Sequence, residues 1–411
     1  MGKRIAIVGA GAAGCFCALN LKRLHPECHV SVYESGTKAL AKVAITGGGR
    51  CNLTNSWENV KSLGQVYPRG EKLLKKLFKQ FSPEDTRKWW EKEGVRLISQ
   101  PDGCIFPQSQ DAMQIVNTLL TGMRLANVEL HLSHRVKSIS HPSADSSYTL
   151  TFSDESKKNI EADVVIVTTG GSPKIAGFTP YTDLGIEVTP PVPSLFTFCI
   201  DTPGLKDLQG IVVEHTTTIL TGTKYKAEGP LLITHWGMSG PAILKLSSQG
   251  ARWLAEHDYK GEVMVNWLPD LSQDEVRATL EQHKATDNGK MVANTPPDGL
   301  TKRHWTYMLS RIGIAENKRW SDVGKKELNK MTEMLSADCH AITGKGQYKE
   351  EFVTCGGISL GELDSNTLEC KKHPNLYFAG EITDVDGVTG GFNLQAAWTM
   401  GMVIARAVRN K

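Results

Sequence analysis

The chain has no uninterrupted apolar stretch long enough to span a bilayer, no C-x-x-C pair and no low-complexity tail. It also has almost no net charge, formally +3 over 411 residues. The first absence excludes an integral membrane segment. The second, with nine cysteines scattered from Cys15 to Cys370, argues against a zinc site or a disulfide framework and for a reducing cytoplasm. The near balance of charge offers no reason to expect a nucleic-acid partner. Lys3-Arg4 before an apolar run resembles a signal peptide, but Ile5–Ala10 is too short and leads into glycines. Met1-Gly2 lacks the Ser or Thr of a myristoylation site, because Ala6 stands there.

What is present is a globular α/β pattern, with 40% hydrophobic and 22% charged residues. Residues 4–8 read as a buried strand, 12–25 as a helix and 29–34 as a second strand, one βαβ unit. Helices are predicted over 71–81, from Ser82-Pro83-Glu84-Asp85 to Gly94, and over 111–126. Strand-like runs follow at 128–152 and 163–168. Thr189-Pro-Pro-Val-Pro193 reads as a domain boundary. Residues 194–266 alternate like antiparallel strands, 273–285 and 300–338 look helical, and strand signals return at 350–358 and 376–379. A last helix starts near Asn393.

Four motifs carry chemistry. Gly9-Ala10-Gly11-Ala12-Ala13-Gly14 is a full G-x-G-x-x-G between a strand and a helix. Gly9 allows the tight turn, Gly11 lets backbone approach a pyrophosphate, and Gly14 lets helix and strand pack. Glu34, twenty residues on and followed by Ser35, is placed to accept hydrogen bonds from an adenosine ribose. A plain βαβ turn with a surface glutamate is the rival. Thr46-Gly47-Gly48-Gly49-Arg50-Cys51-Asn52 exposes successive N–H groups that suit phosphates or a flavin edge; a surface loop is the alternative. Cys51 reads as a small fitted residue rather than a redox thiol. Thr168-Thr169-Gly170-Gly171 ends an apolar strand, as under a bound nucleotide or in a simple turn.

The fourth motif runs from Gly380-Glu381 through Asp384 to Gly391-Phe392-Asn393-Leu394. A helix starting there can stabilise negative charge on a flavin pyrimidine ring, and Glu381 or Asp384 can take ribityl hydroxyls. A paired-carboxylate metal or glycosidase site is disfavoured, because no histidine or third ligand accompanies the acids, and no metal is expected.

With these motifs the sequence resembles the bacterial BaiN/YhiN-type flavoproteins, also described as aminoacetone-oxidase-like or NAD(P)/FAD-dependent oxidoreductases. Thr234-His235-Trp236-Gly237-Met238-Ser239-Gly240-Pro241 and Phe106-Pro107-Gln108-Ser109 add to the match. Where that family has arginine two residues before the phenylalanine, this chain has Cys104. The resemblance implies a discontinuous Rossmann-type FAD-binding domain from 1–190 and 350–411. It implies an inserted domain at 191–349, β-barrel-like over 191–267 and 339–349 and helical over 268–338. It further implies that Gly11, Gly14, Glu34, Arg50, Asn52, Gly380, Glu381, Gly391 and Asn393 line FAD, with Val136 near the adenine.

The expected function is that of an FAD-dependent oxidoreductase which reduces a small, apolar, unsaturated substrate. NAD(P)H would be a transient donor, since no second G-x-G-x-x-G is present. An amine or aminoketone oxidase using O2, and a non-catalytic flavin-binding sensor, are the alternatives. A flavoprotein that modifies RNA is a fourth, with no basic patch interleaved with aromatics to support it. His235 is the candidate for proton transfer, against a structural histidine bonded within a turn. Cys355, Trp89, Trp90 and Trp236 read as packing residues. Nothing in the sequence speaks to oligomeric state.

Overall fold

The computed structural model describes residues 2–141, 147–346 and 353–408. The chain separates into two compact units, Met1–Val192 with Val353–Lys411, and Pro193–Phe352. Each has its own apolar core. Parts of the strand runs expected at 128–152, 339–349 and 350–358 lie outside the described residues.

The first unit is built on a five-stranded parallel sheet. Its order is Leu376–Phe378, Val164–Val167, Arg4–Val8, His29–Tyr33, Glu129–His131. Val164–Val167 is buried throughout, as a sheet covered on both faces requires. The helix Ala12–Leu24 packs against the C-terminal helix Phe392–Ala407, where a Cβ on Gly401 would lie 3.0 Å from the Ala13 carbonyl. Phe16, Trp89, Trp90 and Trp398 form an aromatic cluster nearby, so Trp89 and Trp90 are packing residues.

The Pro-rich stretch expected to be a boundary is itself part of a strand, Val188–Ser194. It belongs to a two-stranded sheet with Val353–Ile358, so Val188–Ser194 is an edge strand, where missing proline N–H groups cost no ladder bond on the unpaired side.

The second unit contains a closed six-stranded barrel. Its strands are Phe198–Ile200, Gly237–Ser239, Lys226–Thr234, Val212–Leu220, Gly261–Asn266 and Asp338–Lys345. The expectation of strands alone across 194–266 fails at Pro241–Gln249 and Ala251–Glu256, which are helices. Gly240-Pro241 starts the first, and Ala242, Ile243 and Leu246 bury one helical face that also passes for a strand run. Helices Gln273–Thr286, Lys302–Arg311 and Lys325–Ser336 fill the interval before the last barrel strand.

A buried polar network ties that helical segment to the barrel. Asp338 accepts from Trp267 Nε1 at 3.1 Å and Arg311 Nη1 at 2.8 Å, and its Oδ2 lies 2.9 Å from His340 Nε2. His304, 1% exposed, sits edge-on to Trp267 with neither ring nitrogen hydrogen-bonded. Burial pushes its pKa down to about 4.

Candidate functional site

The first glycine turn divides its glycines by what surrounds them. Gly9 has φ 105°, and a Cβ there would lie 2.5 Å from the Thr168 carbonyl oxygen. A Cβ on Gly14 would lie 2.0 Å from the Gly9 carbonyl oxygen. Both are bare because protein packs against them. A Cβ on Gly11 would meet nothing within 4 Å, so no protein neighbour explains its bareness. Gly11 opens the helix Ala12–Leu24, which has no side-chain cap and no acid in its first turn. Ala13 is buried and Ala12 half-buried, so the open face there is backbone. Unpaired N–H groups and the helix dipole make it a seat for an anion.

Glu34 is held beside this turn. Its Oε2 accepts from the Ala10 N–H at 2.9 Å; its Oε1 accepts from Gly36 N–H at 2.6 Å and Ser35 Oγ at 3.1 Å. The Glu34 carbonyl accepts from the His134 N–H at 2.7 Å. That bond brings the following strand, which starts at Val136, to the same corner.

The second glycine loop follows the helical turn Ala41–Ile45. Thr46 leaves the helix at ψ 148°, and Gly47, Gly48 and Gly49 take φ 59°, 68° and 81°. Gly48 and Gly49 face open space, whereas a Cβ on Gly47 would lie 2.9 Å from Asn52 N. Arg50 lies over the Phe106 ring, 4.5 Å from its centroid, and donates to the Gly47 carbonyl at 3.2 Å. Cys51 is fully buried at φ 61°, and burial pushes its thiol up to about 12. A thiol held that far from thiolate is a packing group, not a redox partner.

The loop is stitched to the other end of the chain. In the amide orientation that satisfies both ends, Asn52 donates to the Thr54 carbonyl at 3.1 Å and accepts from Gly391 N–H at 3.2 Å. Asn55 Nδ2 donates to the Gly390 carbonyl at 3.1 Å, and Trp398 Nε1 to that of Leu53 at 3.0 Å. Gly391, at φ 85°, caps the C-terminal helix, which again has no side-chain cap and no acid in its first turn.

Around the strand ends, Thr168 Oγ1 donates to the Gly9 carbonyl at 2.8 Å. Thr169 Oγ1 is 3.5 Å from Tyr181 OH, and Gly170 turns at φ 78° beside Glu381. Gly380, also at φ 78°, lies against Ala13. The Glu381 carboxylate accepts from the Thr354 N–H at 2.9 Å and pairs with Lys42 at 3.5 Å. Asp384 is anchored through its backbone N–H to the Ile358 carbonyl. Asn393 spends its amide on both sides of Gly387, at 2.8 Å each, so it clamps the loop. Phe392 packs edge-on to Trp57 and Tyr67, and Leu394 packs on the core. Cys355 is buried in its strand.

The structure thus brings all the predicted cofactor residues, from six stretches of chain, into one unit. His235 is in the other unit, exposed at the tip of the hairpin joining Lys226–Thr234 to Gly237–Ser239, with Trp236 beside it.

Three supporting residues escaped the sequence. Arg69 forms a buried ion pair with Asp386, which holds the guanidinium charged although burial opposes it. Tyr67 OH donates to the Phe392 carbonyl at 2.7 Å. Gln395, fully buried, accepts from Thr54 Oγ1 at 2.5 Å and donates to Thr86 and Thr399 hydroxyls at 2.9 Å. A glutamine one turn into an otherwise apolar helix was the available hint for the last.

FAD fits this surface. The open backbone at Gly11, Gly48 and Gly49, two uncapped helix starts and the Glu34 carboxylate match the phosphates, polar edges and ribose of a dinucleotide.

Comparison with known proteins points the same way. The family model described as HI0933-like protein Rossmann domain matches residues 3–407. The ribosomal RNA dihydrouridine synthase of Escherichia coli (strain K12) is 29% identical, over 97% of this chain and 96% of that protein. The 3-dehydro-bile acid delta(4,6)-reductase of Clostridium scindens is 26% identical, over 99% of each. Among solved structures, the 3-ketosteroid-delta4-(5alpha)-dehydrogenase of Rhodococcus jostii RHA1 covers 99% of this chain and 97% of its own. Its TM-score is 0.51 at 14% identity, a likeness of fold.

Proposed function

The chain belongs to the HI0933-like Rossmann-domain family and is an FAD-dependent oxidoreductase, and from that premise we propose that it reduces a carbon–carbon double bond conjugated to a ring carbonyl. The observation that carries this reaction class is the pair of full-length relatives named above. Dihydrouridine is uridine with two hydrogens added across a double bond conjugated to a ring carbonyl. A 3-oxo steroid with 4,6 unsaturation carries the same kind of acceptor. The two names share an electronic problem, not a substrate shape.

FAD, when bound and reduced, would supply the hydride equivalent for the carbon distant from the carbonyl. The protein orients the ring and supplies a proton to the neighbouring carbon. NAD(P)H would be the transient donor, its hydride passing to the oxidised flavin as NAD(P)+ leaves. Glu34 and the Gly11 turn would hold the adenosine and pyrophosphate end, and the Gly391 helix start would favour negative charge on the flavin ring. His235 is the proposed proton donor, since imidazole is the side chain best suited to proton transfer near neutrality.

Uridine within RNA is the first substrate reading, supported by the 29% relative. The small, apolar, unsaturated substrate expected from the sequence is the second, here taken as an enone and supported by the 26% relative. The test is anaerobic mixing of the yellow holoenzyme with NADH or NADPH, then with ribosomal RNA or a steroid dienone. Bleaching by a donor and recovery of colour with RNA are expected. Bleaching by neither donor refutes the donor assignment, and recovery only with the dienone refutes RNA. Rapid peroxide formation with an amine favours the oxidase alternative instead.

A further inference from the structure

The helix Glu71–Leu77 carries Lys72, Lys75, Lys76 and Lys79 at helical spacing. Leu73, Leu74 and Leu77 are buried beneath them, and all four lysines are exposed. Lys79 lies past the last regular turn, but helical bonds continue there. Phe78 N–H donates to the Leu74 carbonyl at 2.8 Å, and the chain then tightens, with Lys79 N–H donating to the Lys76 carbonyl at 3.2 Å, so that Lys79 sits in the turn that ends the helix. Exposed Arg406, from the C-terminal helix, donates to the Gln80 carbonyl at 2.5 Å and extends the face.

We infer that this lysine face is a track for the phosphate backbone of the RNA strand whose base is reduced. The inference rests on the RNA reading above. Three observations carry it. First, the face is built against local electrostatics. Lys72/Lys76 and Lys75/Lys79 are like-charged i,i+4 pairs, where a solvated helix gains from Glu–Lys pairs instead. A polyanion relieves that repulsion.

Second, nearby charge does not neutralise it. Among the described residues, none of the four ammonium groups is paired with a carboxylate; Lys76 donates to Ser365 Oγ at 2.9 Å. Glu71 turns toward Gly64; Asp85 accepts from Ser82 in a helix cap and its charge acts on Arg406, leaving the four lysines without an acidic partner among the described residues. Third, the track starts at the flavin site. Tyr67 bonds the Phe392 carbonyl, Arg69 pairs with Asp386, and a Cβ on Gly70 would lie 2.6 Å from Val385. From this root Lys72 to Lys79 spans about 10 Å at about 1.5 Å per residue. A pattern of lysines interleaved with aromatics misses this face, because here leucines face the core and, after Glu71, the exposed residues through Lys79 are lysines.

The test uses oxidised holoenzyme without an electron donor, so binding is read apart from reduction. The probe is a fluorescein-labelled, uridine-rich single-stranded RNA, titrated at several salt concentrations. In K72Q/K75Q/K76Q/K79Q the slope of log affinity against log salt should become shallower by about 2–3, at roughly 0.7 for each phosphate no longer neutralised. Low-salt affinity should fall at least tenfold. Visible spectrum and the rate of bleaching by NAD(P)H should stay unchanged. K137Q/K158Q/K260Q/K302Q removes the same charge elsewhere and should keep most of the slope. Equal slopes in wild type and the helix variant, or equal loss in the control, overturn the track while leaving the RNA reading intact. A wild-type protein that does not bind the probe even at low salt, yet reduces a dienone, overturns both.

Discussion

Gly11→Val separates loss of cofactor from loss of fold. The Gly11 backbone, at φ −85° and ψ −166°, is extended and open to any L residue. A Cβ there meets nothing within 4 Å, so the valine side chain enters empty space. The cost to the chain is the poorer helix start, about 1 kcal/mol, a fall of about 2–4 °C in the melting temperature of the apo-protein. The cost to the ligand is larger. The side chain projects to where a pyrophosphate would meet the first helical N–H groups. Losing two charge-assisted hydrogen bonds, at about 1.5–3 kcal/mol each, weakens FAD by roughly 10²–10⁴ in Kd. The assay is flavin per chain after purification, then FAD titration of the apo-protein with melting followed in parallel. Colourless, folded protein is expected. A variant that keeps full flavin and wild-type affinity refutes the placement of the pyrophosphate. Gly14→Ala is the contrasting control: its Cβ would sit 2.0 Å from the Gly9 carbonyl oxygen, so the apo-protein itself should be destabilised.

Gly391→Ala must hold φ 85° with a Cβ 2.4 Å from the Thr54 carbonyl oxygen, so it should lower both thermal stability and flavin content; normal values for both would show that the loop can relax. His304 titrates near 4 when folded, against 6.5 as its ordinary value. The unfolded chain therefore binds its proton first, and stability falls as pH drops from about 6.5 toward 4, by up to about 3 kcal/mol. Asp338 acts lower, because its partners hold its pKa below the ordinary 3.8. His304→Leu should flatten the urea midpoint between pH 6.5 and 4.5, and an unaltered pH profile would remove the group from the account. His235→Gln should leave flavin content and bleaching by NAD(P)H intact while slowing reoxidation by the unsaturated substrate about 10²-fold or more; undiminished reoxidation would dismiss it as the proton donor.

Local signals were legible where one stretch of chain explains itself. The βαβ unit needs only a buried strand, three glycines and an acid after the second strand. Ser82 and Asp85 form the expected capping box. What was not legible depends on partners distant in sequence. Nothing local marks Arg69 as the partner of Asp386, 317 residues away. The family resemblance implies Asn393 as a cofactor residue, but nothing local shows that its side-chain amide closes on Gly387. Thr189–Pro193 reads as a domain boundary, and the two units divide between Val192 and Pro193, but that the same prolines sit in a strand, Val188–Ser194, depends on its partner strand Val353–Ile358. The helix at Pro241 was hidden because a short apolar run has no decisive period.

The contrast among helix starts ties the cofactor surface together. Helices that begin at Ser82 and Ser272 satisfy their first N–H groups with full capping boxes. Asp111 and Thr301 cap two others with side chains. The helices at Gly11 and Gly391, packed on each other in one core, have neither cap nor first-turn acid. The helix Pro241–Gln249 also starts bare, at Gly240; glycine instead of a serine or aspartate cap forgoes only about a few tenths of a kcal/mol at Gly11 and at Gly391. That omission is coherent if an external anion completes them, phosphate at one and the reduced flavin ring at the other. Because the Asn52 amide bridges the glycine loop to Gly391, weakening either end should loosen the same cofactor. In a Gly11→Val and Asn52→Ala double-mutant cycle, FAD affinity should therefore fall non-additively, whereas independent additive losses would mean two separate surfaces.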